Sequence, residues 1–115
     1  MRSFIEPSAV FLHRDFVDFR KSINGLAAIV EDELNRDAYT GELFVFCNKA
    51  KDKLKILYWD KTGFALWYKR LEKQKFKWPS NIDRNEFELT DEQFKWLLSG
   101  FDVLGHQELQ YQSMI

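Results

Sequence analysis

Apolar and polar positions divide the chain into segments of two periodicities. "AVFLH", residues 9–13, is a short apolar run suited to a strand. Asp18 is then placed to cap a helix over residues 18–34, where Phe19, Ile23, Leu26, Ala27, Val30 and Leu34 recur at helical spacing and form one apolar face. Gly25 weakens that helix, by about 1 kcal/mol relative to Ala, and leaves room for another element to approach. "ELFVFC", residues 42–47, and "LKILYW", residues 54–59, are β-type runs joined by the polar "NKAKDK", which predicts an antiparallel hairpin. "DKTG", residues 60–63, is a turn in which Gly63 is free to take a positive φ.

The next segment has two readings. In "FALWYKRLEK", Phe64, Trp67, Tyr68 and Leu71 fit helical spacing. With period two, Phe64, Leu66 and Tyr68 line one side, and Ala65, Trp67 and Lys69 the other. The aromatic content and the tight preceding turn favour the strand. "KFKW", residues 75–78, alternates up to Pro79 and predicts a final edge strand. The last helix is the best marked. Thr90 and Gln93 make a capping box, Leu89 and Phe94 a hydrophobic staple, and Gly100 a stop. The tail from about residue 105 is open between packing, pairing with a partner and fraying.

These elements describe one α+β domain over residues 1–115: an antiparallel sheet of about four or five strands, packed on one face by the long N-terminal helix, with a second short C-terminal helix. Cys47, the single cysteine, lies in an apolar run and has no disulfide partner, as expected of an inert buried thiol in a reducing cytosol. The chain shows no signal-peptide core and no apolar run near the roughly 20 residues needed to span a bilayer. A cytoplasmic protein without membrane contact is the expectation.

The net charge of −1 conceals segregation: residues 1–48 carry −3, residues 49–77 carry +7 and residues 78–115 carry −5. Such a pattern speaks of partners rather than of fold. The basic segment is also rich in rings, among them Trp59, Trp67 and Trp78. On a sheet with one face packed, Lys55, Lys69, Lys75 and Lys77 share a solvent side with one or two of them. Cations there would neutralise phosphates, and rings would stack on unpaired bases. The bland alternative makes the rings core and the lysines an edge-protecting, solubilising fringe. It accounts for the rings well and for a local +7 less well, since mixed signs solubilise equally. A second candidate anion seat is the helix start, where Arg20 and Lys21 would share a phosphate with backbone N–H groups, unless Arg20 merely pairs with Asp15, Asp18 or a distant acid.

Catalytic sets are missing from the pattern. His13 and His106 have no cysteine nearby, no spacing suggests zinc, no glycine-rich phosphate loop occurs, and Ser22 lacks a triad context. No cofactor and no small-molecule substrate is expected.

The blocks "DFRKSINGLAAIV", "LFVF", "LYWD", "GFALWYKRLE", "FKWP" and "LTDEQFKWLLSGFD", in that order over residues 10 to about 103, resemble the TnpB-type accessory protein from the second reading frame of insertion sequences of the IS-sixty-six type. It is distinct from the RNA-guided nuclease of the same label. The resemblance implies a non-catalytic role in DNA transposition beside a larger transposase that carries the chemistry. Arg20 and Lys21 match the family's "RK" pair, Lys69 and Arg70 its "KR" pair, Trp59 and Asp60 its "WD", and Phe76, Trp78 and Pro79 its "F.WP". Lys61 and Gln74 stand where the family often has Gly, and the 48–53 loop is poorer in Arg than the family pattern. The expected DNA-binding residues are Arg20, Lys21, Lys49, Lys51, Lys53, Lys55, Lys69, Arg70, Lys75 and Lys77. The expected partners are DNA and the larger transposase. The main alternative is an adaptor that docks on the transposase through its aromatic surface without touching DNA. A divergent nuclease would need carboxylates converging on one cleft.

Overall fold

The structure is a computed structural model and describes residues 9–102. Its order is β1 (Val10–His13), α1 (Ile23–Asp32), β2 (Leu43–Cys47), β3 (Lys53–Trp59), β4 (Phe64–Arg70), β5 (Glu86–Leu89) and α2 (Asp91–Leu98). The fold is α+β, with the five strands in one sheet ordered β4-β3-β2-β1-β5.

The sheet is mixed, not antiparallel as expected. β1 runs parallel to β2, with Val10 beside Leu43 and Leu12 beside Val45. The chain leaves the far end of β1, crosses through α1 and residues 33–42, and re-enters the sheet at the end from which β1 began. A parallel pair requires such a crossover, and hairpin reasoning cannot supply it. The other three pairings are antiparallel.

Both faces of the sheet are covered. Phe11, Phe44, Phe46 and Leu57 pack with Leu26, Ile29 and Val30 of α1. Leu12, Val45, Leu54 and Ile56 face the other way, against Phe76, Trp78, Phe94 and Leu97. β1 and β2 are therefore buried along their whole lengths, the condition that produces continuous apolar runs such as "VFL" and "LFVFC".

α1 is a ten-residue helix rather than a long one. Its N-cap is Ser22, not Asp18. The Asp18 carboxylate accepts from the Arg20 backbone N–H at 2.9 Å, and the Asp18 carbonyl from Lys21 N–H at 3.0 Å, so a local turn uses the groups a cap would have used. A Cβ on Gly25 would lie 3.2 Å from Lys21 Cβ, so the space there serves that side chain and not a crossing element.

Residues 64–70 form a strand, as the period-two reading has it, with Trp59 across from Phe64 and Lys53 across from Arg70. In the turn between β3 and β4 the positive φ belongs to Lys61, at 58°, and not to Gly63. This is one of the two positions where the resemblance expects glycine. Residues 75–78 are not a strand. Their alternation reflects Phe76 and Trp78 turning inward and Lys75 and Lys77 outward, while Phe76 N–H donates to the Lys51 carbonyl at 2.7 Å. The second edge strand is β5, which pairs with β1. α2 carries its capping box on Thr90 and Gln93, and Gly100 follows with φ 87°. The tail from residue 105 lies outside the described residues. Among those described, no helix is long and apolar enough to cross a membrane.

Candidate nucleic-acid interface

β3 begins, β2 ends and β4 ends at the same edge of the sheet, and the turn at 48–53 closes it. Asn48 shapes that turn. Its side-chain oxygen accepts from Asp52 N–H at 3.1 Å and Lys53 N–H at 2.9 Å, and its amide donates to the Asp52 carboxylate at 2.7 Å. Lys51 takes φ 65° within it. Exposed Lys49 and half-buried Lys51 project from this turn.

The strands add a second set on the α1 face. Lys53 stands directly across from Arg70. Like charges facing each other destabilise a ladder. Here Asp52 lies 3.7 Å from the Lys53 ammonium, and Glu72 accepts from Arg70 at 2.9 Å, which offsets part of the repulsion. The next pair is Lys55 across from Tyr68, whose ring is 49% exposed. Lys55 is turned inward. Its ammonium donates to the carbonyls of Phe19 at 2.9 Å and Lys21 at 3.0 Å and lies 4.8 Å from the Phe19 ring. Burial pushes its pKa down. Lys55 is thus a tether that brings the 19–21 segment, with Arg20 and Lys21, to the basic edge. Arg20 is 92% exposed and paired with Asp18, whose carboxyl is held down to about 2 by the guanidinium and the backbone N–H. The Ser22 cap makes no side-chain bond to the first turn of α1.

A third set lies on the opposite side of the same edge. Lys75 and Lys77 flank a pocket together with Lys51. Lys69 also belongs to that face, since it stands across from the inward Leu54, but its ammonium donates to the Leu98 carbonyl at 2.8 Å. It thereby satisfies the C-terminal end of α2.

The expected cations therefore do not share one wet face. Lys55 and Lys69 point to opposite faces and are both used internally, while the remainder encircle one end of the sheet. The expected aromatic surface disperses. Trp78 is buried, and its indole N–H donates to the carbonyls of His13 and Arg14 at 3.2 and 3.0 Å. Trp67 is half-buried against the α2-side core. Trp59 lies at the far end of β3, with Tyr39 and Phe64 at centroid distances of 5.0 and 5.1 Å. Tyr68 is the exposed ring among the cations, and it was absent from the expected site. The antiparallel register counted from the 60–63 turn is the signal that places it beside Lys55. Ser80 and Asn81, which also line the pocket, had no such signal.

Groups able to do covalent chemistry are poorly placed. Cys47 is fully buried, and burial pushes its thiol up to about 12. His13 is buried, with Nε2 3.2 Å from Glu33. No group of three His, Cys, Asp or Glu comes together among the described residues; His106 lies outside them.

A family model described as "IS66 Orf2 like protein" matches residues 8–108. The chain belongs to the IS66 Orf2-like family. Two curated relatives come from Sinorhizobium fredii, and both carry the description "uncharacterized". The protein y4jC is 42% identical over 86 residues, covering 75% of this chain and 73% of its own. The protein y4hO is 32% identical over 99 residues, covering 86% and 85%. No solved structure matches. The IS66 Orf2-like proteins are accessory proteins of insertion-sequence transposition, and the family is not known to be catalytic. The region matched takes in α1, all five strands and α2, and therefore every part of the basic edge.

Proposed function

We propose that this IS66 Orf2-like protein assists transposition by binding the DNA backbone with the basic end of its sheet, alongside the larger transposase. One observation carries the reading. Cations far apart in sequence, in segments 20–21, 49–53 and 70–77, meet at one end of one sheet through the Lys53–Arg70 pairing, the Lys55 tether and the Phe76–Lys51 hydrogen bond. Mutual repulsion opposes such a gathering, and an anionic partner relieves it. Amines and guanidinium groups there would take phosphates, and Tyr68 offers one face to an unpaired base. A bacterial, cytoplasmic setting goes with this role.

A second reading, an adaptor for the transposase, is favoured by the opposite end, where Tyr39 is 55% exposed over Trp59 and Phe64. Aromatic clusters of this kind anchor protein interfaces. The two readings are separable. Fluorescence anisotropy with labelled duplex and single-stranded DNA, titrated across salt, should show binding that weakens steeply as salt rises. A Lys53→Gln/Arg70→Gln variant should weaken it without adding carboxylates beside Asp52 and Glu72, whose repulsion would itself lower the melting temperature. Absence of binding by the isolated protein at low salt would leave the adaptor reading in possession.

A further inference from the structure

At the basic end lies a pocket of about 420 Å³ between the 48–53 turn and the 75–81 segment. Its walls include Lys51, Lys75, Lys77, Ser80 and Asn81, with Asp102 the one carboxylate. We propose that this pocket is a seat for a single phosphate group of a nucleic-acid strand, held by the three ammonium groups and the Ser80 and Asn81 side chains without reading the base. The inference rests on the backbone-binding reading and assigns it a specific contact.

Three features separate the pocket from a chance cluster of solubilising lysines. Lys51 holds φ 65°, a conformation that glycine or asparagine adopts with less strain. Lys61 shares that conformation at the other end of the hairpin, so what sets Lys51 apart is its half-buried side chain, which lines the pocket with its ammonium 5.8 Å from the Phe16 ring centroid. Lys75 is tied down. Its ammonium donates to the Ala50 carbonyl at 2.9 Å, which fixes the charge beside the cavity and lowers the entropy lost when an anion arrives. The non-lysine polar groups, a hydroxyl and an amide, supply donors that an anion needs. The rings point to phosphate rather than base. Phe76 and Trp78 are 1% and 6% exposed, so they form a floor and offer no free face for stacking. In the same molecule Tyr68, on the α1 face, does offer one.

The test is calorimetric titration of the full chain with sodium pyrophosphate at low salt, beside anisotropy with single-stranded and duplex DNA. Lys51→Gly removes the amine while suiting the backbone, so it should melt no lower than the parent. It should bind pyrophosphate at least about tenfold more weakly, the value of one charge-assisted hydrogen bond. Lys77→Ala should do the same and guards against an unforeseen effect on the turn. Lys73→Ala, an exposed lysine outside the pocket, should leave pyrophosphate binding unchanged. Equal losses in all three variants would reduce the pocket to general charge and overturn the seat. DNA binding without pyrophosphate binding would overturn the seat and leave the backbone reading standing. Pyrophosphate binding without DNA binding would overturn the nucleic-acid seat together with the backbone reading and leave a site for a free phosphate compound.

Discussion

The β3–β4 hairpin ends in two different surfaces. Lys53 faces Arg70 at one end, and Trp59 faces Phe64 at the other. Seven residues of strand, roughly 20 Å at 3.3 Å per residue, separate them. Around the first end gather Arg20, Lys21, Lys49, Lys51, Lys75 and Lys77. Beside the second stand Tyr39 and the acids Asp37, Glu42 and Asp60. In sequence the rings and cations of residues 54–79 are interleaved. The fold sorts them: Phe76 and Trp78 go inward, Trp59 and Phe64 go to the aromatic end, and Tyr68 alone of the exposed rings stays with the cations. A mixed composition in sequence thus need not give a mixed surface. It gave two surfaces of different character, each suited to a different kind of partner.

The sharpest contrast lies between the basic end and the core just beneath it. Cys47 closes β2 directly under the lysine-bearing turn, and nearby cations ordinarily activate a thiol. Burial prevails, raising the thiol from an ordinary value near 9 to about 12 against a smaller lowering by Lys51. Native protein at pH 8 should therefore resist iodoacetamide, with roughly a thousandfold less thiolate than the unfolded chain. The folded value is the higher one, so this contribution to stability is whole below about 9 and fades as pH climbs toward about 12. Fast alkylation of native protein would mean that the basic end is wet down to β2.

The rings give the next largest effect. Trp78→Ala should cost about 3–5 kcal/mol in urea unfolding, and it leaves two main-chain carbonyls without their indole donor. Trp59→Ala, at the half-buried aromatic end, should cost clearly less and leave DNA binding untouched. Equal costs would show that the ends are not divided into core-bound and surface-bound rings as described.

Local pattern made much of this legible. The strand in residues 64–70, the α2 capping box and the burial of Cys47 all follow from short-range periodicity and caps. The parallel β1–β2 pairing did not, because it depends on where a crossover returns and not on any neighbouring residue. β5 was hidden because "EFEL" is short and polar at alternate positions, while "KFKW" displays the same alternation for a different reason, one anchored loop with two rings turned inward. The candidate site was half legible. Charge segregation located the cations, but the expectation of one packed face put Lys55 and Lys69 on a common surface. The second covered face, which is a property of the whole fold, separates them.

That separation predicts different costs for similar lysines. Lys55→Met removes two hydrogen bonds from an ammonium to main-chain carbonyls and should destabilise by about 1–3 kcal/mol. Faster hydrogen exchange near residues 18–22 should accompany it. Lys49→Met, on the exposed turn, should leave stability within about 0.5 kcal/mol and act on DNA affinity alone. If the two variants were equally stable, the tether that holds Arg20 and Lys21 at the basic end would be of no consequence.

The smallest effect tests the turn at the aromatic end. Lys61 carries the positive φ of 58°, so Lys61→Gly relieves an unfavourable backbone conformation while adding freedom to the unfolded chain. The two terms partly cancel, and a gain of a few tenths of a kcal/mol up to about 1 is the expected balance. Gly63 is the contrary case. It has no positive φ, and an added Cβ meets nothing within 4 Å, so Gly63→Ala should stabilise by about 0.4–1 kcal/mol through the unfolded state alone. A turn built the other way round, with Gly63 in the left-handed region, would make Gly63→Ala destabilising and Lys61→Gly worse than neutral. Thermal melts of the two variants decide between them. Neither should alter DNA binding, because Lys61 lies a whole strand away from the basic end.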